Sequence, residues 1–249
     1  MTYKIFTTAA LVFAAATPTF AQEIAGASVG AIYSSALDSD VDSDLFTLKA
    51  GIELALPGAF SIAGNIATFN DSEATDTGFN TTLHGMYMLS PEASVGLFLS
   101  RDTEGDADYD TWGIEGGGAV RGTSFEAYFG IIDGLTSDPD IDTSMAGVSV
   151  DFAAGRDFAI TLGYDSVTAS DGSVSSSIGT TTLGGAYQFA SGPSIFAEIG
   201  QVSLSVDTGG TVFVSDDPVE FISFGVEMNF GRSSGNLLDN RSIYNAYGF

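Results

Sequence analysis

The sequence predicts an all-β fold, a transmembrane up-and-down antiparallel β-barrel of about twelve strands preceded by a cleaved signal peptide. Three observations predict it. Apolar and polar residues alternate with a period of two along most of the chain. The connections between these two-faced stretches are long and short in turn, and an export signal stands at the start of a chain without cysteine.

The first element is the export signal. Lys4 supplies a positive start, Ile5 to Ala16 form an apolar run, and Thr19-Phe20-Ala21 offers small residues for cleavage, so residues 1–21 are expected to be removed and the mature chain to begin at Gln22. The run is too short to cross a bilayer as a helix, and no other stretch approaches the roughly 20 apolar residues that a helical span needs. With no cysteine, an exported chain has neither a disulfide framework nor thiol chemistry.

Strands are expected near 24–33, 45–54, 60–69, 79–89, 94–101, 109–120, 124–132, 143–152, 158–165, 178–189, 195–206 and 220–230. The last shows the pattern best, with Ile222, Phe224, Val226, Met228 and Phe230 alternating with Ser223, Gly225, Glu227 and Asn229. Long segments at 34–44, 70–78, 102–108, 133–142, 166–177 and 207–219 are mostly rich in Asp, Ser, Thr and Gly. Between them come brief turns at 57–58, 90–92, 121–123, 154–156 and 191–193, each with the Gly or Pro of a tight reversal. A sheet whose two ends face different surroundings gives that order. A soluble sandwich has no reason to keep it.

Alternation assigns the faces. Phe46, Leu48, Ile52 and Leu54 are expected outside, with Val95, Leu97, Leu99, Phe125, Phe129, Ile131, Val148, Val150, Phe152, Phe158, Ile160, Leu162 and Tyr164. Phe60, Phe125, Phe152, Phe158, Phe189 and Phe230 lie beside the short turns, and Tyr33, Phe46, Phe79, Trp112 and Tyr164 towards the long segments. Two such belts match the aromatic girdles of a membrane barrel. The pore-lining candidates are Lys49, Glu53, His84, Glu115, Arg121, Glu126, Asp151, Glu198 and Glu227, with Asn65 and Gln188 beside them. Carboxylates lining a wet lumen favour cations. The same charges could instead pair with Lys49, Arg121 and Arg156 and close the interior, and a barrel of this size admits both outcomes.

A formal net charge of −25 beside an apolar fraction of 44% requires the two characters to be separated in space. Only 7 Lys and Arg are present, too few to neutralise a nucleic-acid backbone. The metal candidate is Asp38, Asp40, Asp42 and Asp44, a weak one. Ser43 stands where a calcium loop needs glycine and Lys49 where it needs glutamate, which leaves a weak attraction for divalent cations linked to lipopolysaccharide phosphates, or a solvated loop. Gly26-Ala27-Ser28-Val29-Gly30 spells a hydrolase elbow without the helix that must follow. His84 is the only histidine, with Thr82 and Met86 on its face and no serine. No enzyme activity and no cofactor are expected.

Over residues 22–230 this pattern of strands, turns and loops resembles the small porin-like β-barrels of the bacterial outer membrane. The resemblance implies an outer-membrane location and a passive channel for ions or small hydrophilic solutes. It also implies contact with lipid and lipopolysaccharide, and a last strand ending on an aromatic that the assembly machinery recognises. Phe230 fits that role but is followed by residues 231–249, so the tail is a periplasmic extension, a plug or the true last strand. The competing reading is a non-conducting structural or recognition barrel whose acidic loops bind a partner or divalent cations. Oligomeric state has no signature in the chain.

Overall fold

The computed structural model describes residues 23–37, 43–72, 76–136, 138, 140–209, 211–215, 218–231 and 238–248. The expected signal peptide, and Asp38, Asp40 and Asp42 of the metal candidate, lie outside the described residues. Asp44 opens the second strand.

The strands run in chain order: β1 (Glu23–Ala36), β2 (Asp44–Ala55), β3 (Phe60–Asp71), β4 (Gly78–Ser90), β5 (Ala93–Glu104), β6 (Ala107–Val120), β7 (Thr123–Asp133), β8 (Asp142–Ala153), β9 (Phe158–Ser170), β10 (Val174–Gln188), β11 (Pro193–Thr208), the three-residue β12 (Val212–Val214) and β13 (Val219–Phe230). Each pairs antiparallel with its sequence neighbours, except that β13 bypasses β12 to pair with β11. The ring closes where β13 meets β1, in register from Ala27 opposite Phe230 to Ala36 opposite Phe221. β12 is a flap on the end of β11, so the wall has twelve strands. Closure leaves no free sheet edge around the wall, the condition for a sheet to stand in lipid.

Every expected strand is present. The strands are longer than expected at the end away from the short turns, and this corrects two of the supposed long loops. Residues 102–108 and 166–177 are mostly strand, leaving only 105–106 and 171–173 as connections. Their Asp, Ser and Thr residues stand beyond the apolar band, where the outer face no longer meets lipid, while inward residues such as Asp102 are buried against the tail. Alternation disappears there although the hydrogen-bond ladder continues.

The faces follow the period of two. Phe46, Leu48, Val95, Leu97, Leu99, Phe125, Phe129, Val148, Phe158, Leu162 and Tyr164 all point outward and are exposed. The belts are there as well. Phe60 packs on Tyr87 and Tyr187 on Phe189, each with ring centroids 5.0 Å apart, at the short-turn end, while Tyr33 and Trp112 stand exposed towards the other. So much contiguous apolar surface is tolerable only against lipid. Leu97→Arg, mid-strand on that surface, is therefore expected to lower stability in bilayers by roughly 2–4 kcal/mol. Denaturant titration of lipid-embedded protein would show it.

Candidate functional site

The interior is built from the inward residues of these strands and from the tail. Residues 238–248 form no strand. They lie inside the ring, ending in a short 3-10 turn at Ile243–Ala246. Phe230 is the last residue of the wall, and the terminal Phe249 lies outside the described residues.

The tail is held largely through its backbone. Asn65 Nδ2 donates to the Leu238 carbonyl at 2.6 Å and Asn80 Nδ2 to the Arg241 carbonyl at 3.1 Å. The Arg241 carbonyl also accepts from Ser100 Oγ. In return the Arg241 N–H donates to Thr82 Oγ1 at 3.0 Å, and the Ile243 N–H to Asp102 Oδ2 at 3.2 Å. Ser242 Oγ donates to Asp102 Oδ1 at 2.6 Å. Near the far end Tyr244 donates to Glu104 at 3.1 Å and rests on Phe69, with ring centroids 4.7 Å apart. Across the ring, Thr180 Oγ1 donates to the Ala246 carbonyl at 2.6 Å.

Two ionic contacts of opposite polarity add to this. Lys49 on the wall meets Asp239 of the tail at 3.0 Å and Glu227 at 3.2 Å. The Lys49 ammonium beside the half-exposed Asp239 holds its carboxyl below the usual carboxylate range. In the other contact, Arg241 of the tail reaches the wall. Its Nε lies 3.0 Å and its Nη2 2.9 Å from Glu115 Oε2, and Nη2 also meets Glu126. The guanidinium carbon stands 4.4 Å from the ring centroid of Tyr128 and 6.0 Å from that of Phe98.

The predicted lining residues divide into groups. His84 and Glu115 are buried and joined, Nδ1 to Oε1 at 2.7 Å, with Asn65 3.2 Å from the other ring nitrogen. Glu53 is buried on the inner side of β2. Lys49, Glu126, Asp151, Glu198 and Glu227 border a cavity of about 520 Å³ beside the tail, towards β8–β11 and β13. Arg121 needs correcting. It lies in the turn after β6, exposed, with φ +51°, beyond the end of the wall. Gln188 likewise ends its strand exposed and bonds back to the carbonyls of Gly192 and Pro193. At strand ends the inward direction opens into the mouth, and alternation no longer assigns a side.

Sequence reasoning missed several residues. Asp165 borders the cavity, its carboxylate accepting from Tyr128 at 2.5 Å. Asp102, Asn80 and Tyr128 hold the tail. All four occupy inward positions, so alternation could have found them. The tail's own Asp239 and Arg241 carried no such signal.

Glycines make room for the rings. A Cβ on Gly130 would stand 2.8 Å from Phe98 Cζ, and one on Gly147 would overlap Tyr128. Both rings therefore sit close against the backbone of the inner wall, at 88° to one another.

No protein-family model matches the chain, and no curated protein matches it in sequence. Solved structures do match in fold. The KdgM porin aligns with TM-score 0.56 at 10% identity, covering 82% of this chain and 99% of that one. The NanC porin aligns with TM-score 0.57 at 9% identity, covering 80% and 98%. The CymD monoaromatic hydrocarbon channel aligns with TM-score 0.51 at 8% identity, covering 85% and 90%. The closed twelve-stranded ring with its oily exterior thus has the fold of the outer-membrane porin barrels.

Proposed function

We propose that the protein is a passive channel of the bacterial outer membrane for ions or small hydrophilic solutes, with a preference for cations, and that its tail is a plug that narrows the lumen. The observation that carries this is the acidic cavity beside the tail. Glu126, Asp151, Asp165, Glu198, Glu227 and Asp239 border it, against Lys49 and Arg241. Three of those acids, Asp151, Asp165 and Glu198, take part in no ion pair among the described residues. Fixed, unneutralised carboxylates in a narrow wet space lower the potential for cations and raise it for anions. A KdgM porin was solved in complex with disordered oligogalacturonate. A carboxylate-bearing chain of that kind would meet repulsion in this cavity. No catalytic role is proposed for His84, whose two ring nitrogens are both engaged and wholly buried.

Single-channel recording in planar bilayers tests the reading. Discrete open steps with a cation-selective reversal potential are expected, and Asp151→Asn with Asp165→Asn and Glu198→Gln should move that potential towards zero. Unchanged selectivity would remove the assignment of these three acids. The tail's position favours a second reading, a sealed barrel serving structure or recognition, and folded protein that never conducts would establish it.

A further inference from the structure

We propose that the inner wall of β5–β7 carries a binding site for the guanidinium group of a solute, occupied in this structure by Arg241 of the chain's own tail. The ligand class is arginine and arginine-bearing peptides. The proposal deepens the channel reading and rests on it for the route by which such a solute arrives.

The geometry selects a guanidinium over an ammonium. Nε donates to Glu115 Oε2 at 3.0 Å, while Nη2 on the same planar edge lies 2.9 Å from that oxygen and also against Glu126, as ion pairs without a hydrogen bond. The flat face lies 4.4 Å from the Tyr128 ring centroid. A planar fork between a carboxylate pair and an aromatic face fits this shape, whereas a lysine ammonium is a point charge with no face to stack.

The site belongs to the barrel and not to the tail. Glu115, Glu126, Tyr128 and Phe98 all stand on strands of the wall. The second oxygen of Glu115 is fixed by His84 at 2.7 Å, and Phe98 meets Tyr128 edge-on, at 88° and 6.1 Å between centroids. These supports remain when the tail departs, so the cradle is formed in advance. It is also reachable, because Glu126, Tyr128 and Arg241 border the open cavity beside the tail. A solute in that cavity is one side chain away from the position Arg241 holds.

The experiment uses full-length protein in detergent. Arg241→Ala empties the cradle while leaving the rest of the tail. Calorimetry is expected to show ethylguanidinium binding to this variant roughly tenfold more tightly than ethylammonium, the worth of a directed charge-assisted contact, with the preference lost when Glu126→Gln is added. Should Arg241→Ala fail to fold, ethylguanidinium but not ethylammonium is expected to restore its refolding. In the wild-type protein, argininamide is expected to speed chymotryptic cleavage at Tyr244 and Tyr247 by displacing the tail, while lysinamide does not. Equal treatment of the two cations by Arg241→Ala, in binding or in refolding, overturns the proposal. So does a selective cradle in that variant with no displacement in the wild type, which leaves only a socket for the tail. Neither readout needs conductance. A conducting barrel that fails them refutes the guanidinium site alone, and a silent barrel that passes them refutes the channel alone.

Discussion

Barrels truncated after Phe230 are expected to pass at least about twice the current of the full-length protein through each open channel, because a ring of this strand count leaves room for little beside a peptide. The tail's contacts cross the lumen. It is bonded to Asn65, Asn80, Thr82, Ser100 and Asp102 on one side, to Thr180 on another, and Gly248 lies against Val202 and Phe221. Beside it lies the cavity of about 520 Å³. Truncation leaves the wall intact, since the seam of β13 with β1 uses no residue beyond Phe230. Heat-modifiable migration on a gel checks that the truncated ring has folded, and single-channel recording then gives the current. Equal current with and without the tail would place the conducting path elsewhere.

Arg241→Met is expected to weaken docking of the tail by roughly 3–5 kcal/mol, the cost of leaving a buried charge without its partner. Arg241 is 2% exposed and Glu115 is 5% exposed, so neither can turn to water once the pair is broken. Native-state hydrogen exchange reads this directly. The amides of Arg241 and Ile243, held by Thr82 and Asp102, should lose protection by a factor of about 150 to 5,000. Lys49→Met provides the contrast. Its partner Asp239 has a side chain 57% exposed, so that contact is screened and the same amides should lose protection by less than about 1 kcal/mol. Equal losses in the two variants would contradict the view that Arg241 is the stronger of the tail's two ionic contacts.

The wall was legible in the sequence because lipid forces a choice at every residue. Leu97 must be greasy and Phe98 must turn inward, and the alternation survives for as long as the bilayer surrounds the strand. Above it, Asp102 to Glu104 and Ser166 to Ser170 continue as strand with largely polar residues on both faces, and the pattern that betrayed the rest is gone. The inward charges could be placed for the same reason, and Lys49, Glu115, Glu126 and Glu227 stand on the inner face as alternation requires. Their partners could not be read. Arg241 lies 126 positions from Glu115, and the wall recognises the tail chiefly through carbonyl and amide groups that any sequence carries. Local pattern does not encode a contact of that kind.

The seam at Phe230 also has a meaning for how the molecule is made. The hoop is complete before a single residue of its stopper is needed, and the stopper hangs from the lip where the last stave joins the first. Its free end must therefore pass up through that same opening once the hoop exists, or be caught within as the staves draw together. In the first case its arrival follows closure and the two events can be timed apart; in the second they coincide.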